Sequence, residues 1–425
     1  MTRTADVVVV GAGVIGAAIS LELARAGREV VVVDKAGGVG HGSTSASSAI
    51  VRFHYSTRTA VALAWEARQV WADWAAHLGR DDAEGLARFV RTGMLVLEAE
   101  PGESAAITGD FDAVGVPWER WTPAQVGARR LDAGAFGPPA PVDSEAFFAD
   151  AHGELGGTWT PDAGYVDDAA LAAHDLAEAA RARGATYLLR HEVSAVEEGG
   201  SRRWWVVAQG QAIEADVVIN AAGPWSSAVN ALAGVGAEFT VTSRPLRQEV
   251  HWLPTAEGLP LALADPDLGT YLRPAAGGLL VGGMEPECDP LEWLADPDEA
   301  DPRVSAATYE AQSLRAARRI PGLSVPGRPS GVVGVYDAAS DWTPVYDRTG
   351  RPGFYVAMGT SGNQFKNAPV VGQLVAALVE AVEAGHDHDR DPLVWTAPRT
   401  GQPIELATYS RLRTVDPDAP TSVMG

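Results

Sequence analysis

Residues 6–16 read DVVVVGAGVIG, an Ala/Leu-rich stretch follows to Ala26, and after Gly27 a second valine run ends at Asp34. The order is strand, glycine turn, helix, strand. Each glycine has a steric task if a dinucleotide binds here. Gly11 permits the tight turn, Gly13 lets the main chain approach a pyrophosphate, and Gly16 lets the helix pack closely on the strand. Val14 and Ile15 open the helix whose amino end then faces the phosphates. Asp34 lies 18 positions after Gly16, near the roughly 20 expected for an acid that bonds a ribose hydroxyl, and Lys35 adjoins it. The plain alternative is a glycine-rich turn without a ligand. The complete βαβ setting argues against it.

Working outward, a loop of small hydroxylic residues runs from His41 to Ser48. Ser43, Thr44, Ser47 and Ser48 are its donors for a phosphate or a ribitol, the other reading being a solvated turn. Ser56 or Thr57 caps the next helix, where Val61, Trp65, Trp71, Trp74 and Leu78 recur as a core stripe before Gly79. From about 80 to 150 the pattern is irregular, with Pro117, Pro123 and Pro138-Pro139 and no second glycine fingerprint, which reads as a segment of a different domain. Gly164-Tyr165-Val166-Asp167-Asp168 leads into a helix ending near Arg183, with Asp167 or Asp168 as cap and Gly184 as stop. Strands are expected near 185–189, 203–208 and 217–219. The last runs into Asn220-Ala221-Ala222-Gly223, whose small residues let a ligand lie against the main chain. Val193, Ala222, Gly223 and Trp225 complete that expected wall. Residues 240–335 read as antiparallel, with a hairpin joining Thr270–Pro274 to Leu279–Val281. A strand at Phe354–Met358, a turn at Gly359-Thr360-Ser361-Gly362 and a helix from Asn363 form a second strand-to-helix turn able to face an anion. The proline-rich tail after Asp391 is expected to lie over the surface.

Composition bounds the function. The 425 residues make two to three domains, and 46% hydrophobic with 21% charged residues excludes a disordered chain. The 55 acids against 33 bases leave a net charge of −22, which repels nucleic acid and anionic membrane surfaces. The single cysteine, Cys288, forbids an internal disulfide and a cysteine-cluster zinc site, so no metal is expected and a reducing, cytoplasmic setting is. Asp6 interrupts the apolar N-terminus, which argues against a signal peptide. No uninterrupted apolar run reaches the roughly 18 residues of a membrane span. Lys35 and Lys366 are the only lysines among the bases, so each calls for a reason.

The sequence resembles the FAD-dependent amine and D-amino acid oxidoreductases, the group of sarcosine oxidase, glycine oxidase and dimethylglycine dehydrogenase. The resemblance is carried by the fingerprint through Asp34, the Gly42-Ser43-Thr44 loop leading to Arg52, Gly164-Tyr165-Val166-Asp167, Asn220-Ala221-Ala222-Gly223, the Tyr271-to-Gly283 hairpin, and Ser361-Gly362-Asn363-Gln364-Phe365-Lys366. It implies an α/β fold in which a Rossmann-type FAD-binding domain (1–80, 151–235, 345–395) is interleaved with an α+β substrate domain on a mostly antiparallel sheet (81–150, 236–344). Residues 396–425 form the tail. Gly362, Asn363, Gln364, Phe365 and Lys366 then join the cofactor wall.

In sarcosine oxidase-like members an arginine after the serine-rich loop and a lysine in the C-terminal turn bind the substrate carboxylate, and Arg52 and Lys366 stand there. Arginine offers a carboxylate a bidentate fork. The other reading is a structural ion pair for Arg52 and a solvated helix end for Lys366. Tyr271, Arg273 and Tyr336, the last in an expected Gly334-to-Asp337 turn, are either pocket residues or core. Gly334 and Ala46 replace the cysteine and histidine that carry covalent flavin in relatives, so noncovalent FAD is expected. Leu280 stands near the lysine that favours reaction with oxygen, leaving O₂ or another electron acceptor. Asn363 and Gln364 replace histidine and glycine, and Ala338-Ala339-Ser340 replaces a frequent Thr-Pro pair. The implied reaction oxidises a C–N bond of an amino acid or N-alkyl amino acid, with hydride passing to flavin N5 and the imine hydrolysing. The substrate partner is a small carboxylate-bearing amine. A flavin-dependent hydroxylase, an NAD-dependent dehydrogenase and a non-catalytic flavin-binding protein are the alternatives.

Overall fold

The computed structural model describes residues 3–80, 85–98, 102–256, 258–415 and 423–424. The two valine runs lie side by side in parallel, Val7–Val10 against Val30–Val33, and the first run also pairs in parallel with Val217–Asn220. Val7, Val8 and Val9 are all buried, so both faces of this sheet are covered, which is why the runs carry no polar alternation. Thr186–Leu189 adds in parallel at the outer edge of Val30–Asp34. On the other side the long strand Gln211–Asn220 changes partner along its length. Its first half takes the antiparallel strand Trp204–Ala208, followed by Val193–Glu198, and its last residues take Phe354–Met358 in parallel. The helix Val14–Arg25 covers one face between Ala169–Arg181 and Ala368–Glu383. A Cβ on Gly16 would fall 2.0 Å from the Gly11 carbonyl oxygen, so only glycine allows this helix to sit on its strand.

A second, nine-stranded sheet holds the remaining long strands. Ser243–Pro254 pairs on one side with Gly331–Ala339 and on the other with Gly278–Gly283. The sheet continues through Thr270–Ala275 and Ala262–Asp265 to Met94–Glu98, Gly156–Thr160 and Glu119–Trp121. All these pairings are antiparallel except Ala262–Asp265 with Met94–Glu98. The expected hairpin is present, with Thr270 opposite Gly283. Gly156–Thr160 belongs to this sheet, so the chain returns to the first sheet after residue 160 rather than at 151. A small antiparallel sheet of Ile50–Val51, Gly164–Val166 and Phe89–Arg91 lies between, and Arg52 follows directly from it.

Three local expectations are corrected. Residues 334–337 are the middle of the strand Gly331–Ala339, not a turn, because Leu246 and Arg247 pair with Tyr336 and Val335. The last long helix starts at Ala368; Phe365–Asn367 is a 3-10 turn and Pro369 sits in the helix's first turn, where its missing N–H costs no hydrogen bond. The tail is not a surface cover. It forms the hairpin Val394–Thr396 with Pro403–Glu405 and buries Ile404, Leu406 and Tyr409, while Arg399 and Thr400 amides donate to the buried Glu66 carboxylate.

Thr57 and Asp168 are the observed helix caps. The tryptophan stripe is core, broken at Asp73 into Arg58–Ala72 and Trp74–Leu78, with Trp71 stacked on Trp74 at 4.3 Å. Among the described residues only Phe365–Glu383 is long and apolar enough to cross a membrane, and 67% of its apolar 18-residue window is buried inside the protein.

Candidate active site

A cavity of about 650 Å³ is lined by residues from both sheets. Its volume falls in the range of small-molecule and cofactor sites. One end is formed by Gly11, Gly13, Val14 and Ile15 with Asp34 and Lys35. Gly11 has φ 108°, and a Cβ there would lie 2.3 Å from the Ala221 carbonyl oxygen. Ala12 and Ala36 amides donate to the two Asp34 carboxylate oxygens at 2.6 and 2.7 Å, fixing that side chain at the cavity wall. Thr44 accepts from the Val14 amide at 3.1 Å, whereas Gly13 at the helix cap contributes no side chain, leaving this end open for an anion.

The middle of the cavity is walled by Ser43, Thr44, Ser47, Ser48, Val193, Ala222, Gly223 and Trp225. Ser43 donates to the Val335 carbonyl, so the hydroxylic loop is tied to the second sheet. Lys35 pairs with Asp298 and lies 4.2 Å from the centre of the Trp225 ring. Trp225 Nε1 is buried with no hydrogen-bond partner among the described residues. An orphaned buried donor on the wall is costly unless a ligand meets it. Gly334 and Ala46 face each other closely at the wall, a Cβ on Gly334 falling 2.9 Å from that of Ala46. Cys288 lies elsewhere, against Arg315 and Asp289.

At the inner end stand Gln248, Tyr271, Tyr336, Gly362, Gln364 and Phe365. The Tyr336 ring packs directly on Gly362, at a spot a side chain would fill. Burial raises both the Tyr271 and Tyr336 phenols, so both stay protonated. Asp337 holds the second glycine turn against the sheet. Its carboxylate accepts from the Gly359 amide and from Ser243, its carbonyl accepts from the Ser361 amide at 2.8 Å, and burial pushes its carboxyl up to about 6.

Arg52, Lys366 and Asn363 do not line this cavity; they form a buried cluster behind the Tyr336–Phe365 wall. Tyr55 is its centre. The Arg52 guanidinium lies 4.7 Å and the Lys366 ammonium 5.2 Å from the centre of the Tyr55 ring. Lys366 donates to Tyr55 Oη at 2.9 Å and to the Asn363 carbonyl at 2.6 Å, and Tyr55 donates to the same carbonyl at 2.7 Å. Arg52 donates to the carbonyls of His54 and Val423, the latter at 2.6 Å. All these acceptors are uncharged, and among the described residues no carboxylate pairs with either cation. Burial, and for Lys366 also the neighbouring Arg52, pulls both pKa values down, Lys366 well below its ordinary value. His54, unpartnered at both ring nitrogens among the described residues, is held neutral by burial and Arg52, down to about 3. Arg273 is turned away, donating to the Ser48 carbonyl and lying 4.3 Å from the centre of the Tyr165 ring. Gly16 serves helix packing beneath the site and does not line it.

Residues 6–378 match the family of FAD dependent oxidoreductases (DAO). The chain belongs to that family. A glycine oxidase of Geobacillus kaustophilus (strain HTA426) is 26% identical over 394 residues, covering 91% of this chain and 96% of that protein. The crystal structure of glycine oxidase from Geobacillus kaustophilus aligns with a TM-score of 0.72 at 25% identity, over 92% of this chain and 98% of that one. L-proline dehydrogenase from P. horikoshii shares the fold, with a TM-score of 0.72 at 22% identity over 91% and 95% of the two chains. As a family member this protein is an FAD-dependent oxidoreductase, which removes the NAD-dependent dehydrogenase alternative. The cavity suits that cofactor: an acid for a ribose, an open helix end for phosphates, small residues along the wall and an unmet indole donor.

Sequence reasoning passed over Tyr55, Gln248, Glu285 and Asp298, and named Asp337 only as part of a turn. Tyr55 was legible as the residue three after Arg52. The others come from distant segments and carry no local pattern.

Proposed function

We propose that this enzyme oxidises the C–N bond of a small amine that carries a carboxylate, an amino acid or N-alkyl amino acid, with FAD held noncovalently. The observation that supports this reading is the pair of buried cations, Arg52 and Lys366, that no carboxylate among the described residues neutralises. A buried charge without an opposite partner is expensive, and a carboxylate arriving with the substrate relieves both at once. In this reading Arg52 and Lys366 fix the carboxylate and so set where the carbon beside nitrogen rests. The apolar and phenolic surroundings of Tyr55, Tyr271 and Tyr336 exclude water and disfavour an ammonium, so the amine reacts in its neutral form. The bound flavin supplies the hydride acceptor; the imine product hydrolyses, and the electrons pass on to O₂ or another acceptor. The first sheet carries the cofactor and the second faces the substrate.

Anaerobic bleaching of the flavin absorbance by a panel of amines tests the proposal. N-methyl amino acids, cyclic imino acids and D- and L-amino acids should include a compound that bleaches it, and the carboxylate-free analogue of that compound should not. Equal bleaching by the analogue, or stoichiometric NADPH consumption without amine oxidation, contradicts it; the second outcome assigns a hydroxylase.

A further inference from the structure

Glu285 follows the strand Gly278–Gly283 and does not itself line the cavity, and its main chain is held at φ 52°. A non-glycine residue in this left-handed region is strained, and such strain persists where surrounding contacts fix it. One carboxylate oxygen accepts from Gln248 Nε2 at 3.2 Å, and Gln248 lines the cavity. The other accepts from the Val423 amide at 3.0 Å. The carbonyl of that same residue accepts from Arg52 Nη2 at 2.6 Å. Arg52 and Glu285 are therefore bridged by four atoms, N, Cα, C and O, of one residue. Those are the atoms of an α-amino acid, with nitrogen on the glutamate and oxygen on the arginine.

We infer that Arg52 and Glu285 form an α-amino acid clamp, Glu285 holding the amine nitrogen while Arg52 holds the carboxylate, and that Val423 occupies the clamp as a built-in substrate mimic. This rests on the proposed carboxylate role of Arg52 and narrows it. Amines whose nitrogen lies one carbon further from the carboxylate span the pair poorly, so 2-amino acids are selected over 3-amino acids. Glu285 touches the reacting end of the substrate, and its burial, which lifts its carboxyl to about 8, suits an acceptor beside an amine that must lose its proton. Substrate has to displace residue 423, so the segment competes with it.

The test uses the FAD-loaded full chain under anaerobic conditions. Dissociation constants are read from the flavin spectrum for glycine, N-methylglycine, proline, 2-aminopropanoate of each hand, 3-aminopropanoate and propanoate, in wild type, Glu285→Gln, Val423→Pro and Arg52→Lys. Glu285→Gln should loosen the 2-amino acids by about tenfold or more, the loss of a charge-assisted hydrogen bond, and leave propanoate within about twofold. Val423→Pro removes the amide donor to Glu285 and should tighten both the amino acids and propanoate. The clamp is overturned if Glu285→Gln shifts propanoate as much as the amino acids or shifts neither, if 3-aminopropanoate binds as tightly as 2-aminopropanoate, or if Val423→Pro tightens nothing. Loss of the underlying carboxylate reading looks different: propanoate then fails to bind wild type, or Arg52→Lys leaves its affinity unchanged.

Discussion

Replacing Lys366 by Met should stabilise the apoprotein and cripple the enzyme in one step. The side chain is 4% exposed, and methionine matches its length without its charge. The substitution removes two hydrogen bonds to neutral oxygens, worth about 1 kcal/mol each. The Asn363 carbonyl keeps the Tyr55 hydroxyl as donor, so no buried acceptor is stranded there. Against that loss stands the removal of a buried charge beside another buried cation, a penalty of several kcal/mol. The net expectation is a gain of about 1–3 kcal/mol. The pH dependence carries a sign. A lysine whose folded pKa is lowered binds fewer protons folded than unfolded, so stability rises with pH from the folded pKa up to the ordinary 10.5. Lys366→Met flattens that slope. For catalysis, losing a charged partner of the carboxylate should raise KM by about 10- to 150-fold, from roughly 1.5–3 kcal/mol. Urea melts of the apoprotein across pH, together with steady-state kinetics on a substrate found in the anaerobic panel, give both numbers. A Met variant that is less stable than wild type and has an unchanged KM would refute the reasoning, because Lys366 would then be a satisfied strut.

Other perturbations probe the rest of the site. Glu285 has the opposite sign to Lys366: its carboxyl is raised, so stability falls as pH climbs from 4.5 to about 8, and Glu285→Gln should remove that fall in apoprotein melts. Thr44→Val takes away the acceptor of the Val14 amide and should cost about 1 kcal/mol of apo stability while weakening FAD, measured by flavin fluorescence titration. Asp337→Asn puts an amide donor where main-chain amides need acceptors; it should loosen the Gly359–Gly362 turn, cost about 1–3 kcal/mol and lower FAD affinity, and an unchanged FAD affinity would show that the turn holds itself.

The cofactor half of the site was legible because its demands are steric and local. Gly11 and Gly16 admit no Cβ, and a short pattern with one spacing records that. Asp34 follows from the same βαβ frame, and its orientation by the Ala12 and Ala36 amides is a detail of the turn. The substrate half is assembled from segments far apart in sequence. Arg52 and Lys366 could be named from the family resemblance, yet their meeting at Tyr55 depends on how the 3-10 turn at Phe365–Asn367 packs against the helix Arg58–Ala72. Glu285 shows no signal in sequence, since neither its left-handed main chain nor its reach to residue 423 follows from its neighbours. The tail misled because prolines mark irregular structure without saying whether it is buried; Ile404, Leu406 and Tyr409 were the apolar residues that decide.

The most direct measurement compares the rate of anaerobic flavin reduction by an amino acid with that by its decarboxylated amine, in wild type and in the Arg52→Met, Lys366→Met double variant. If the two buried cations await a carboxylate, wild type reduces with the amino acid far faster, and the double variant erases the preference while keeping its FAD. A preference that survives in the double variant, or is missing from wild type, contradicts that claim.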